Sequence, residues 1–171
     1  MANTYSVWNG AMPTTAPLTK VSTGTSTKTM LQLVPALPIK VVEWGVSFDG
    51  SSAATPGQCE LIETGTIAGT VTASAAADIY PYFDPNAPAN TAGSTGTPLN
   101  LGTALTGYTA TVEGSIVATR LGDYQQVAPT NQWAKQWPLG REFGVAPGKV
   151  LRVRMTFGVA INALCYIIFE V

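Results

Sequence analysis

Residues 39–50 read Ile39-Lys40-Val41-Val42-Glu43-Trp44-Gly45-Val46-Ser47-Phe48-Asp49-Gly50. In an extended chain Val42, Trp44, Val46 and Phe48 share one face, and Glu43, Ser47 and Asp49 share the other. Successive strand residues point to opposite sides, so this spacing sends the apolar set into a core and the polar set toward water. Pro38 before the run and Asp49-Gly50-Ser51-Ser52 after it punctuate its ends. Gln58-Cys59-Glu60-Leu61-Ile62-Glu63-Thr64 reads as the next strand, with Ser51 to Gly57 as a loop closing an antiparallel pair. The pattern returns near the C-terminus. Leu151, Val153, Met155 and Phe157 point one way, and Arg152, Arg154 and Thr156 the other, after a Pro147-Gly148 turn. The last run, Leu164 to Val171, is apolar on both faces, as a central or covered strand requires.

Working outward, weaker strands are expected at Lys28 to Val34, Ala68 to Ser74, Tyr108 to Val117 and Ala118 to Val127. No stretch of ten or more residues keeps a helical period with caps, and Ala73 to Ile79 has room for one turn. About eight strands with turn signals every 8–12 residues indicate an all-β fold: a two-sheet antiparallel sandwich, jelly-roll-like. The sandwich is assigned to residues 28–171. Residues 1–27, rich in Thr, Ser, Pro and Gly and carrying Tyr5 and Trp8, read as an extended N-terminal arm reaching a neighbouring subunit, with a frayed terminus as the alternative. Pro81 to Leu105 is a long connection of the kind found on functional faces and interfaces.

The 171 residues include nine Lys+Arg, ten Asp+Glu and no histidine, for a formal net charge of -1. Charged residues make up 11%, where about 25% is usual. Such a chain lacks the basic footprint of a nucleic-acid partner. At 46% hydrophobic residues it is too apolar for disorder. Its longest apolar run, Ala163 to Phe169, is far short of the ~20 residues of a membrane-spanning helix. Met1-Ala2-Asn3-Thr4 has neither the basic nor the apolar region of a secretory leader. A domain of this mass exposes roughly 8,000 Å², about one charge per 400 Å². Either Thr, Ser, Asn and Gln keep that surface wet, or other protein covers much of it.

Catalytic chemistry finds little footing. Without histidine there is no Ser-His-Asp or Cys-His nucleophile and no His-containing zinc site. Cys59 and Cys165 lie in strand patterns and read as small core residues, with a disulfide between them as the lesser alternative. Glu60 and Glu63 point to opposite faces. Glu43 and Asp49 share a face but stand roughly 20 Å apart along a strand, so neither pair suits glycosidic acid–base work. Asp84-Pro85-Asn86 is a Pro-containing turn before it is a calcium loop. No metal or cofactor is expected.

Aromatic residues are the more informative group. Trp133 and Trp137 are four apart, with Arg141 nearby, and would project from one face of a strand. They suit a plug at the end of the core, a protein interface or a platform for sugar rings. Tyr80, Tyr82 and Phe83 form a second group with the same alternatives. Tyr166 and Ile168 mark an apolar face of the last strand. With Tyr5 and Trp8, these are the candidate interface residues.

Lys28-Thr29-Met30-Leu31-Gln32, the run from Val41 to Gly50, Glu60-Leu61-Ile62-Glu63-Thr64 and Trp137-Pro138-Leu139-Gly140-Arg141-Glu142-Phe143 together resemble a family of uncharacterised proteins of actinobacterial tailed phages and prophages. The resemblance extends over most of the chain from about residue 28. It implies a virion protein without enzymatic activity, similar in size and character to capsid decoration (cement) proteins. Such proteins fold as jelly rolls or sandwiches and sit as trimers on a capsid lattice. The partners implied are further copies of the chain and the phage major capsid protein, on the capsid exterior, after synthesis in the host bacterial cytoplasm. A tail- or fibre-associated carbohydrate- or receptor-binding module is the alternative, and a jelly-roll capsid protein a second one. The family supplies no site residues.

Overall fold

A computed structural model describes residues 3–51, 55–90 and 98–171. It contains thirteen strands: β1 (Thr4–Trp8), β2 (Val21–Ser22), β3 (Lys28–Leu33), β4 (Ile39–Phe48), β5 (Gly57–Thr64), β6 (Thr70–Ala73), β7 (Ile79–Pro81), β8 (Gly107–Val112), β9 (Ala118–Val127), β10 (Gln132–Gln136), β11 (Phe143–Val145), β12 (Val150–Thr156) and β13 (Asn162–Glu170). One turn of 3-10 helix, Ala76–Asp78, precedes β7. The strands form the expected two-sheet antiparallel sandwich. A seven-stranded sheet runs β10-β4-β13-β1-β7, with β11 also on β4 and β2 on β13. A six-stranded sheet runs β6-β8-β3-β12-β5-β9. The strands beyond the expected eight are mostly two to five residues long, too short for alternation to stand out.

The chain passes between sheets more readily than it turns back within one. β4 lies in the seven-stranded sheet and β5 in the six-stranded sheet, so the segment between them crosses the sandwich and closes no hairpin, contrary to expectation. Each strand carries one apolar face, and the two faces meet across the core instead of lying side by side. The last two strands complete both layers: β12 inserts between β3 and β5, and β13 between β4 and β1.

Alternation in β4 is broken once. Ile168 pairs with Glu43 and Phe169 with Val41, which leaves Val42 as the extra residue of a bulge. Val41 and Trp44 therefore both face the core, fully buried, while Val42 is half-buried and its carbonyl accepts the Trp137 N–H at 2.9 Å.

The N-terminal residues are not an arm outside the body. β1 is an interior strand, paired antiparallel with β13 on one side and β7 on the other. Tyr5 and Val7 are 1% and 0% exposed. This corrects the assignment of residues 1–27 as an extended arm. The alternation Tyr5, Val7 inward and Ser6, Trp8 outward is that of a strand, embedded in a composition that reads as a loop. Removing residues 1–20 would strip an inner strand.

Between the sheets lie Tyr5, Met30, Leu31, Trp44, Leu61, Leu151, Ile167 and Phe169 among others, all essentially buried. Cys59 and Cys165 are free thiols in this core. Burial pushes Cys59 up to about 12 and Cys165 well above the usual thiol range, so both are packing residues.

The middle of the back of the six-stranded sheet is polar yet roofed over, while β6 and β9 at its margins keep exposed residues. Arg152, on the face of β12 that alternation assigns to water, has no exposed surface. Its Nε donates to Thr64 Oγ1 at 3.2 Å and its Nη2 to the Ile67 carbonyl at 2.9 Å. Its Nη1 donates to Thr29 Oγ1 (3.3 Å), to the Glu113 carbonyl (3.2 Å) and to Glu113 Oε2 (3.4 Å). Buried Gln32 grips the same roof. It donates to the Leu105 carbonyl at 2.6 Å and accepts the Gly69 N–H at 2.9 Å.

Arg152→Ala removes the guanidinium and leaves its acceptors under the roof unpaired. A loss of about 3–5 kcal/mol is expected, read as a lower urea midpoint at similar m-value. A loss below about 1 kcal/mol would contradict the role given to Arg152.

Candidate functional site

Strand register aligns the outer face of the seven-stranded sheet into rows. Ala134, Gly45, Tyr166 and Trp8 form one row across β10, β4, β13 and β1. Glu43, Ile168, Ser6 and Tyr80 lie in the next, across β4, β13, β1 and β7. The row with two small residues is a trough, and the Tyr166 ring lies in it: a Cβ on Gly45 would stand 2.5 Å from that ring. An isolated glycine in an alternating strand often marks such a close approach.

The large residues interlock. Trp8 and Tyr166 rings are 4.7 Å apart and tilted by 33°. Trp8 Nε1 donates to the Tyr80 hydroxyl at 3.0 Å. The Tyr166 hydroxyl donates to Glu43 Oε1 at 2.5 Å. Burial first, then the neighbouring Glu43 carboxylate, pushes the Tyr166 phenol well above its ordinary range, so it stays a donor at all ordinary pH.

Two clefts flank Trp8. One, of about 370 Å³, is walled by Trp8, Met12, Pro13, Leu18, Tyr80 and Leu164, with Asp78 in its wall. Asp78 accepts the Met12 N–H at 2.6 Å and the Ala75 N–H at 2.7 Å, pinning the segment after β1 in place. The other, of about 390 Å³, lies over Val46, Ser47, Gln132, Ala134 and Tyr166. Smaller clefts adjoin it at Ser47, lined by Asn131 and Gln132 and by Asp49, Lys20 and Asn162. Lys20 and Asp49 pair there at 2.5 Å. Among the described residues no cluster of metal-ligating side chains is found.

Three of the candidate aromatics, Trp8, Tyr80 and Tyr166, are thus gathered on one surface, with Ile168 beside them 6% exposed. Tyr82 and Phe83 stand at the β7 edge, 51% and 77% exposed, with rings edge to face at 5.3 Å. Tyr5 is a correction. Its ring stacks on Phe169 at 5.6 Å inside the sandwich and its hydroxyl donates to the Pro88 carbonyl, so it holds the body together and offers no interface. Asp84 Oδ1 accepts the Asn86 N–H at 2.9 Å, the expected turn.

Trp133 and Trp137 do share a face, and it is the inward one. Both pack against the margin of the core. Trp133 Nε1 points to Asp123 at 3.4 Å, and Trp137 tilts over Phe143 with Lys135 Nζ 5.0 Å from its ring. Of the three readings open to them, their packing is that of the core plug. Arg141 is exposed in the turn between β10 and β11.

Asp123 closes this margin. It accepts from Trp44 Nε1 (3.1 Å), Lys135 Nζ (3.1 Å) and Gln125 Nε2 (3.1 Å). Burial opposes its charge, but these hydrogen bonds and Lys135 outweigh it and hold the carboxyl below its usual range. Sequence reasoning missed Gly45, Glu43, Asp78 and Asp123. Only Gly45 carried a local signal, its place inside a strand.

Comparison with protein-family models, with curated proteins and with solved structures finds no match to the chain.

Two expectations follow from this geometry. Gly45→Val drives the Tyr166 ring off the sheet and breaks its bond to Glu43, at about 1–3 kcal/mol, and the aromatic near-UV circular dichroism collapses with it. An unchanged spectrum would refute the packing described. Asp123 releases its proton more readily folded than unfolded. Its contribution is complete above about pH 4 and fades as pH falls through the lower folded value. Asp123→Asn therefore costs about 2–4 kcal/mol at pH 7, and the difference from the parent narrows in denaturation series toward pH 2.

Proposed function

We propose that the chain is a non-catalytic structural subunit that decorates an assembled protein shell, as capsid decoration proteins of tailed phages do, docking through the outer face of the seven-stranded sheet. One observation carries the reading. That face presents Trp8, Tyr80 and Tyr166 beside adjoining clefts, whereas the middle of the other sheet's back, around Arg152 and Gln32, is roofed by the chain's own loops. Aromatic side chains fixed by neighbours lose little freedom on docking and dominate binding energy where they are buried.

Charge supports the same reading. Among the described residues six ion pairs join Lys20–Asp49, Lys40–Glu170, Arg120–Glu63, Lys135–Asp123, Arg152–Glu113 and Arg154–Glu60. A surface of 8187 Å² is left with few free charges to desolvate on contact. Many copies bound to a lattice gain persistence from modest individual contacts and stabilise the assembled state by binding it selectively. The resemblance to phage virion proteins supplies the shell. The carbohydrate-binding alternative loses Trp133 and Trp137 as a platform, since their rings pack inward.

The test is co-sedimentation of the purified chain with capsids of a phage encoding it. Tyr166→Ala with Ala134→Arg, in the cleft over β4 and β10, lowers retention at least about tenfold while the far-UV spectrum persists. Leu121→Ser, on the exposed part of β9, leaves retention unchanged. Equal retention of the aromatic variant, or none of the parent, would end the proposal.

A further inference from the structure

The two margins of the seven-stranded sheet carry complementary features. At the β10–β11 margin the chain turns through Pro138, Leu139, Gly140 and Arg141. Leu139 at the tip is 95% exposed, more than any other large hydrophobic residue described. The turn is stiff. The Arg141 N–H bonds the Pro138 carbonyl at 2.9 Å, and the Gly140 N–H bonds Glu142 Oε1 at 2.7 Å. Gly140 takes a φ of +79° that other residues rarely adopt, and Trp137 and Phe143 pack beneath. An apolar side chain held rigidly in water is preorganised for insertion.

The opposite margin, beside β1 and β7, holds the cleft of Trp8, Met12, Pro13, Leu18, Tyr80 and Leu164. Its walls are apolar except for Asp78, whose carboxylate is met by backbone N–H groups and, among the described residues, by no cation. Arg141, two residues beyond Leu139, is exposed and makes no ion pair among the described residues. The projection brings an unneutralised cation, and the cleft offers an unneutralised anion.

We infer that a second copy of this chain occupies the cleft, inserting Leu139 of the partner subunit between Trp8 and Leu18 with Arg141 of the partner subunit toward Asp78. Because projection and cleft lie on opposite edges of one sheet, the contact is heterologous. Each copy gives one and receives one, and repetition by a rotation that closes yields a ring. All copies of a cyclic ring present the same face to one side, so the aromatic faces point together. The inference deepens the shell-docking reading and takes its setting from it. The experiment contains no shell, so either can fail alone.

Sedimentation velocity of the purified full-length chain tests it. The parent forms a discrete oligomer. Leu139→Asp, which disables the projection, and Ala11→Arg, which places a cation at the mouth of the cleft, each weaken self-association at least about tenfold. Both changes are at exposed positions and leave the circular dichroism unaltered. Mixed one to one, the two variants form a heterodimer and nothing larger, since one intact projection meets one intact cleft. A monomeric parent, an oligomer indifferent to both changes, or variants that stay apart when mixed overturns the inference. A parent that forms the oligomer yet is not retained on capsids would instead strike the shell-docking reading.

Discussion

The buried guanidinium of Arg152 makes the two sides of this sandwich different. A charge out of water is tolerated only when its donors are met and a counter-charge is near. Here Ile67, Glu113, Thr29 and Thr64 meet them. Thr29 and Thr64 reach it from the neighbouring strands, but Ile67 and Glu113 sit in loops that must fold down over the six-stranded sheet, and Gln32 draws Gly69 and Leu105 onto the same roof. The middle of that back surface is thereby closed, while the grouped aromatics and their clefts lie on the outer face of the seven-stranded sheet.

A second carboxylate-centred knot, at Asp123, seals the margin where the sheets come together. It ties Trp44 in the core to Lys135 and Trp133 on the edge strand. Scarce charge is thus largely spent inside ion pairs and hydrogen bonds. Hydroxyl and amide groups carry much of the remaining polarity, and they are cheaper to desolvate against a protein partner than ions are.

The all-β class, the two-sheet sandwich and the central position of the last strand were legible in the sequence. Alternation over seven to ten residues is a direct consequence of a sheet with one buried face, and β4 and β12 are long enough to show it. The N-terminal strand was not legible, because Thr4 to Trp8 sit among turn-forming residues and five positions barely establish a period. Arg152 was misplaced by the same rule that placed Leu151 and Val153, since alternation distinguishes two faces and cannot say whether the polar one is later roofed. Trp8, Tyr80 and Tyr166 were suspected in separate groups, and the sequence left Trp133 with Trp137 open between a core plug, an interface and a sugar platform, a choice that only their packing decides.

Local pattern therefore decided that these segments are strands and which side of each is apolar, because a strand's period of two is set by its own backbone. Partner choice, the bulge at Val42, the burial of Tyr5 and the meeting of Trp8 with Tyr166 were decided only in the tertiary structure. They depend on which strands become neighbours, and contacts between residues more than 150 positions apart leave no trace in the spacing of either segment.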